Sequence, residues 1–204
     1  MKVTQFLKSC LAIILLATIY SCNNADQEKY IGTALAPVMG SATIDTTKYN
    51  AEYLLYNAVK INGVLPLDSK FADFVKVVGK PDSVINFNPD MDCQFFEEPY
   101  QYIHFQGSMF FLVKDTAIFQ NIDFRKRPDL ELKTSAITLN AKTTLSDVQA
   151  LFPNAVRKIR TVEAPDLDHL RLVDIGASKE FTDEWWILFF NGDKLVSVEL
   201  YSPC

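Results

Sequence analysis

The sequence predicts an α+β fold of two tandem repeats, each a strand, a helix and an antiparallel β-meander, with the helix packed on one face of the sheet. Three observations carry this expectation. A strand followed by an amphipathic helix that ends in proline occurs at residues 64–81 and again at 136–153. Each occurrence precedes β-rich segments, and the last two of these, Trp185–Phe190 and Lys194–Tyr201, flank the turn signal Asn191-Gly192. Sliding one copy on the other by 76 residues places Asp115-Thr116 on Asn191-Gly192, Ile122 on Val198 and Phe124 on Leu200.

Ahead of the repeats, basic Lys2 and Lys8 bracket the entry to an apolar run, Leu11 to Ile19, and then Tyr20-Ser21-Cys22. These are the parts of a secretory signal. The run is shorter than the roughly 20 apolar residues a spanning helix needs. The ending Ile19-Tyr20-Ser21-Cys22 resembles the lipobox of bacterial lipoproteins. That resemblance implies cleavage after Ser21 and diacylation of Cys22; the alternative is an ordinary signal with Cys22 a spare thiol. Asn23, in place of the aspartate of inner-membrane retention, resembles outer-membrane sorting in a Gram-negative bacterium. The expected plan is a lipoprotein signal peptide at 1–21, a flexible tether at 22–45, repeat 1 at 46–130 and repeat 2 at 131–204. Residues 23–45 are mostly small or polar and without period, as a tether requires.

From Thr46 to Lys60 the pattern fits a short helix or a strand equally. In the first repeat Phe71, Phe74, Val75 and Val78 fall at i, i+3, i+4 and i+7, one helix face. Asp68 or Ser69 is the expected cap, and Gly79 with Pro81 the expected stop. In the second, Thr144 and Asp147 form a capping box, Leu145, Val148 and Phe152 form the buried face, and Pro153 stops the helix. Strands are expected at Tyr100–Phe105, Met109–Val113 and Thr116–Phe124. Val162–Asp168 and Lys179–Glu184 read as acidic, solvated connections.

Tandem units of this length, with helices leaving through Gly79-Lys-Pro81 into antiparallel strands, resemble the beta-lactamase-inhibitor-protein fold. The resemblance spans residues 64–203 and implies a sheet presented to a protein partner. It departs in its cysteines: those inhibitors carry a disulfide within each repeat.

Signal removal takes two lysines and no acid, moving the formal net charge from −5 to −7. That sign argues against nucleic acid and against docking by a basic patch, so the membrane contact expected is the N-terminal lipid. With Cys10 lost and Cys22 lipidated, Cys93 and Cys204 remain, and an exported pair reads as one disulfide. Closing that loop of about 110 residues stabilises by roughly 4–5 kcal/mol in the chain-entropy model. Two free thiols are the alternative.

The sequence holds two histidines, His104 and His169, and neither has a sequence-marked nucleophile or carboxylate partner. Asn86 to Asp92 spaces oxygen ligands as calcium loops do, but Cys93 stands where the loop glycine belongs, so an Asx turn is the simpler reading. No catalytic residue, metal site or cofactor is expected. Adjacent Trp185 and Trp186 must face opposite sides of a strand. Together with Tyr100 and Tyr102 they are the candidate binding surface, either open to a partner or covered by the N-terminal segment or the other repeat. The expected function is a non-catalytic binding module for another envelope or surface protein; a glycan-binding surface lipoprotein using exposed Trp and Tyr is the alternative.

Overall fold

Strand-forming runs dominate the folded region, and their hydrogen bonds close almost entirely through antiparallel neighbours. The computed structural model describes residues 52–90, 92–164, 167–180 and 182–203. The segments expected to be signal and tether, 1–21 and 22–45, and with them Cys22, lie outside the described residues, as does Cys204. After a 3-10 turn at Tyr56–Ala58 come β1 (Lys60–Ile61), β2 (Leu65–Pro66), β3 (Asp68–Lys70) and helix α1 (Phe71–Val77). A first meander follows: β4 (Ser83–Asn86), β5 (Tyr100–Phe105), β6 (Ser108–Val113) and β7 (Thr116–Asp123). Two short strands, β8 (Leu132–Lys133) and β9 (Thr138–Leu139), lead to helices α2 (Leu145–Leu151) and α3 (Pro153–Arg157). The second meander is β10 (Arg160–Ala164), β11 (Leu167–Gly176), β12 (Trp185–Asn191) and β13 (Lys194–Tyr201).

The fold is α+β, and both meanders belong to one nine-stranded sheet. Its order is β10-β11-β12-β13-β7-β6-β5-β4, with β3 also on β7. One side of β7 is divided: its start pairs with β3 (Lys70 opposite Thr116) and its end with β13 (Asn121 opposite Glu199). The last strand of each meander carries a bulge. Met109 faces Asn121 while Phe110 faces Phe119, leaving Gln120 extra. Phe189 faces Ser197 while Phe190 faces Leu195, leaving Val196 extra. A bulge bends its strand and increases local twist. A second, four-stranded sheet has the order β2-β1-β8-β9.

Helix α1 buries Phe74 and Val78 on the sheet, with the Phe74 ring edge-on to Phe110 at 4.7 Å. Neither Asp68 nor Ser69 caps it. Both are drawn into β3, the N-cap is Lys70, and Phe71 N–H donates to Asp115 O at 2.7 Å. Backbone from the β6–β7 turn supplies what a side-chain cap would. At the other end Gly79 has φ 111°, and a Cβ there would meet the Phe105 ring at 3.1 Å, so only glycine fits.

Helix α2 has the Thr144–Asp147 capping box, both halves of it. Pro153 does more than stop it: the chain breaks at Phe152 and Pro153 begins α3, where its missing N–H costs nothing. The Glu52 carboxylate accepts from the N–H groups of Asn154 and Ala155 at 2.9 and 2.7 Å, capping α3 from a hundred residues away.

The sequence reading does not name β3, β4, β8, β10 or β11; it places Asp68 and Ser69 at the helix cap and reads Val162–Asp168 as a connection. Val162–Asp168 is not a loop but the end of β10, its two-residue connection and the start of β11. The second hairpin turns one residue late, at Gly192-Asp193, since Asn191 pairs with Lys194. The β6–β7 turn places Lys114 at φ 56°, a left-handed position without glycine that composition does not signal.

The main core lies between the sheet and the helices and contains Ile103, Phe110, Phe119, Ile122, Phe124, Trp186, Leu188, Phe190 and Val198. A smaller apolar cluster lies on the opposite face of β11–β13: Leu170, Leu172, Ile187 and Val196, with Trp185, Phe189 and Tyr201 half-buried around them.

Candidate protein-interaction surface

Alternation along β12 separates the two tryptophans. Trp186 is fully buried in the main core; its Nε1–H donates to Leu54 O at 2.7 Å and its ring lies against Tyr56 and Phe119. It is a packing residue and leaves the candidate binding set. Trp185 takes the other face, half-buried, and stacks on Tyr201 with ring centroids 4.8 Å apart.

Tyr100 also leaves the set, because it is buried. Its hydroxyl donates to Cys93 O at 2.6 Å, and Phe87, Phe96 and Phe111 surround its ring. Residues 87–99 fold back over this face of β5 and β6, with Phe95 also on Phe111. Tyr102 is half-buried at the margin; burial first, then Tyr100 and Asp92, push its hydroxyl far above the usual tyrosine range. Cys93, on the covering segment, is disulfide-bonded. Cys204, its expected partner, lies outside the described residues.

The outer faces of the two meanders thus differ. Residues 87–99 cover that of β5–β6, whereas β10 and β11 are joined only through 165–166. The described helices put their apolar residues on the opposite side, into the main core. What the outer face of β10–β13 presents is Trp185, Phe189 and Tyr201 around a buried aliphatic floor. Strand directions bring 87–99, the Lys114-Asp115 turn, 177–184 and the end of β13 to one end of the sheet. That end carries Asp90, Asp92, Glu97, Glu98, Asp115, Glu180, Asp183 and Glu184 against Lys114 and Lys179. Lys114 is held by Glu98 at 3.0 Å, and Lys179 lies over the Tyr53 ring. The rim beside Trp185 is acidic.

Across the same face Glu199 lies between Ile187 and Asn121. Burial pushes its carboxyl up to about 7, and no cation is paired with it among the described residues. Sequence reasoning missed this group, because a glutamate at an alternate strand position reads as solvated.

It also missed Arg127. Its guanidinium is buried, 4.0 Å over the Phe105 ring, forked onto Asp129 at 2.8 and 2.7 Å, and donates to Val78 O at the end of α1. In sequence it is one of several charges in Arg125-Lys-Arg-Pro128.

His104 is half-buried between Met109 and Ser83, and His169 is exposed on β11. Neither ring is hydrogen-bonded to a carboxylate among the described residues. Asn88 and Asp92 close a turn on each other: Asp90 N–H donates to Asn88 Oδ1 and Asn88 N–H to Asp92 Oδ2. Their oxygens serve the backbone there.

No protein-family model, curated protein or solved structure matches the chain.

Proposed function

We propose that the chain is an exported lipoprotein, anchored through Cys22 in the outer membrane, whose two tandem α+β repeats form a non-catalytic binding module for another envelope or surface protein. The outer face of β10–β13 is the binding surface.

Matching details at equivalent points support the duplication. Phe71 N–H donates to Asp115 O as Leu145 N–H donates to Asp193 O, each helix start tied to the turn before a final strand. Lys70 pairs with Thr116 as Thr144 bridges Lys194. The bulges at Gln120 and Val196 are 76 residues apart, the offset that lays Ile122 on Val198.

The observation that carries the binding reading is the half-buried aromatic rim of Trp185, Phe189 and Tyr201, which no described helix covers. Large aromatic side chains at the edge of an apolar floor are the usual anchors of protein interfaces. The acidic loops beside them favour a partner with basic groups, which charge complementarity would orient. The stacked Trp185–Tyr201 pair favours a second reading, a platform for a sugar ring.

The test is affinity recovery of the tagged full-length protein from its native membranes in mild detergent, with Cys22→Ala and Trp185→Ala forms alongside. One stoichiometric protein, recovered by the native form and lost with Trp185→Ala, is the expected result. Equal recovery with Trp185→Ala moves the site elsewhere. Recovery of no partner by any form overturns protein binding, and glycan screening of the Trp185→Ala pair then tests the second reading.

A further inference from the structure

Asp123 of β7, Glu199 of β13 and Asp174 of β11 all stand on the outer face of the sheet, because their strand neighbours Ile122, Val198, Leu200, Val173 and Ile175 fill the main core. The fold supplies a cation to two of the three. Arg125 forks onto Asp123 at 2.9 and 2.6 Å, and Arg160 onto Asp174 at 3.0 and 2.7 Å. Glu199 lies in the strand sequence between them and has no such arginine among the described residues.

Its surroundings are apolar or already matched. Glu199 faces Ile187 on β12 and Asn121 on β7, whose Oδ1 accepts from Met109 N–H. Along β13 its neighbours on this face are Tyr201 and Ser197, whose hydroxyl donates to Ile122 O. Diagonally it meets Trp185 and Phe189 on β12 and the Arg125-bound Asp123 on β7. Diagonal neighbours lie about 7–8 Å apart, within reach of long and aromatic side chains. Asp174, beyond Ile187, is held by Arg160, and His104 stands two strands beyond Asn121. Burial among these groups pushes the Glu199 carboxyl up to about 7.

A carboxylate in such a setting is costly until a cation meets it. Guanidinium suits the place best: it is flat and weakly hydrated, forks onto carboxylates and stacks on aromatic rings. It is also the ion that this face uses at both neighbouring carboxylates.

Resting on the reading of this face as a protein-binding surface, we propose that Glu199 and the stacked Trp185–Tyr201 pair form a subsite for an arginine side chain of the partner. The guanidinium forks onto Glu199 as Arg125 and Arg160 do onto their aspartates, and its stem lies along Ile187. The acidic rim beside Trp185, Asp115 and Glu184 included, draws a basic segment to the site. The carboxyl gives up its proton as the cation arrives, so binding strengthens as pH rises toward 7 and levels off above it.

The probe is acetylarginine amide, with uncharged acetylcitrulline amide as its control, added to the purified full-length chain in detergent. Nuclear magnetic resonance reads the Glu199 carboxyl carbon and the Trp185 indole N–H, each identified by its loss in Glu199→Gln or Trp185→Ala. At pH 8 the arginine probe should move both signals saturably and the citrulline probe neither. Its affinity should fall about tenfold between pH 8 and pH 6, as the ionised fraction of a carboxyl near 7 does. Glu199→Gln should abolish the Trp185 response while its amide spectrum away from this face stays native. Absence of a saturable shift at pH 8, an equal response to citrulline, or a response that survives Glu199→Gln overturns the subsite. Partner recovery separates it from the broader reading. Recovery lost with Trp185→Ala but kept by Glu199→Gln leaves the face as the binding surface and overturns the arginine subsite. Saturable arginine binding with no protein recovered upholds the subsite and overturns the protein partner.

Discussion

Ile122 of β7 and Val198 of β13 lie directly opposite each other where the two meanders join. Both are fully buried, and the pairs on either side, Asn121 with Glu199 and Asp123 with Ser197, are symmetric about them. The junction is only these three register pairs long, so apolar packing beneath it has to hold the two halves in one sheet.

Ile122→Ala should therefore cost about 2–5 kcal/mol, the range for truncating a buried isoleucine. Chemical denaturation measures it. If the halves are coupled through this pair, unfolding stays a single transition in the native protein and broadens or splits in the variant.

The two tryptophans should separate stability from binding. Trp186→Ala removes a core ring and the bond to Leu54 O, and should cost about 3–5 kcal/mol. Trp185→Ala, on the half-buried outer face, should cost about 1 kcal/mol or less while abolishing partner recovery. Equal losses of stability in the two variants would count against the assignment of faces.

Glu199 should make stability depend on pH. Its carboxyl sits near 7 in the folded chain against an ordinary 4.5, because burial disfavours the charge. Between those values the folded state holds a proton that the unfolded state has released. Stability should thus be highest below pH 4.5 as far as this group is concerned, fall as pH rises toward 7 and level off above it. At about 1.4 kcal/mol per unit, reduced for partial exposure, the fall is about 1–3 kcal/mol. Glu199→Gln should remove it and raise the melting temperature more at pH 8 than at pH 5. An unchanged pH profile would show that the carboxyl is solvated.

Arg127→Met keeps much of the side-chain volume but removes the fork to Asp129 and the bond that closes α1 at Val78. The expected loss is about 2–4 kcal/mol, since an end of helix is left uncapped and a buried cluster is broken. Amide exchange should quicken at Val78 and Gly79 before it does in β12. Uniform change across the molecule would argue against a local capping role.

Cys93→Ser should lower stability by about 2–5 kcal/mol, as loss of a disulfide does in exported domains. It should also loosen residues 87–99 over β5–β6, since Tyr100 bonds to Cys93 O. Tyrosine fluorescence and proteolysis of that segment report the change. Reduction of the native chain should have the same effect.

Much of the secondary structure was legible, element by element. Phe71, Phe74 and Val78 mark one face of α1, and Thr144 with Asp147 announces the start of α2. β4 was not legible, because Ser83-Val-Ile-Asn86 is four residues without alternation or a turn signal of its own. β10 was hidden by charge: Arg160 and Glu163 read as loop until Asp174 and the β11 backbone are placed beside them. Lys70 as a helix cap cannot be read locally at all, since its work is done by Asp115 O from the next hairpin.

Local sequence by itself determined the α+β pattern, the helix faces and their proline and glycine ends, and that Trp185 and Trp186 face apart. Those follow from side-chain period and backbone sterics, which act over a few residues. Only the tertiary structure decided that both meanders form one sheet, that Tyr100 and Trp186 are buried, and that Glu199 is desolvated. A period of two says which residues share a face, but not which face another part of the chain covers. Coverage depends on contacts such as residues 87–99 on Phe111 and Leu54 on Trp186, made between segments far apart in sequence.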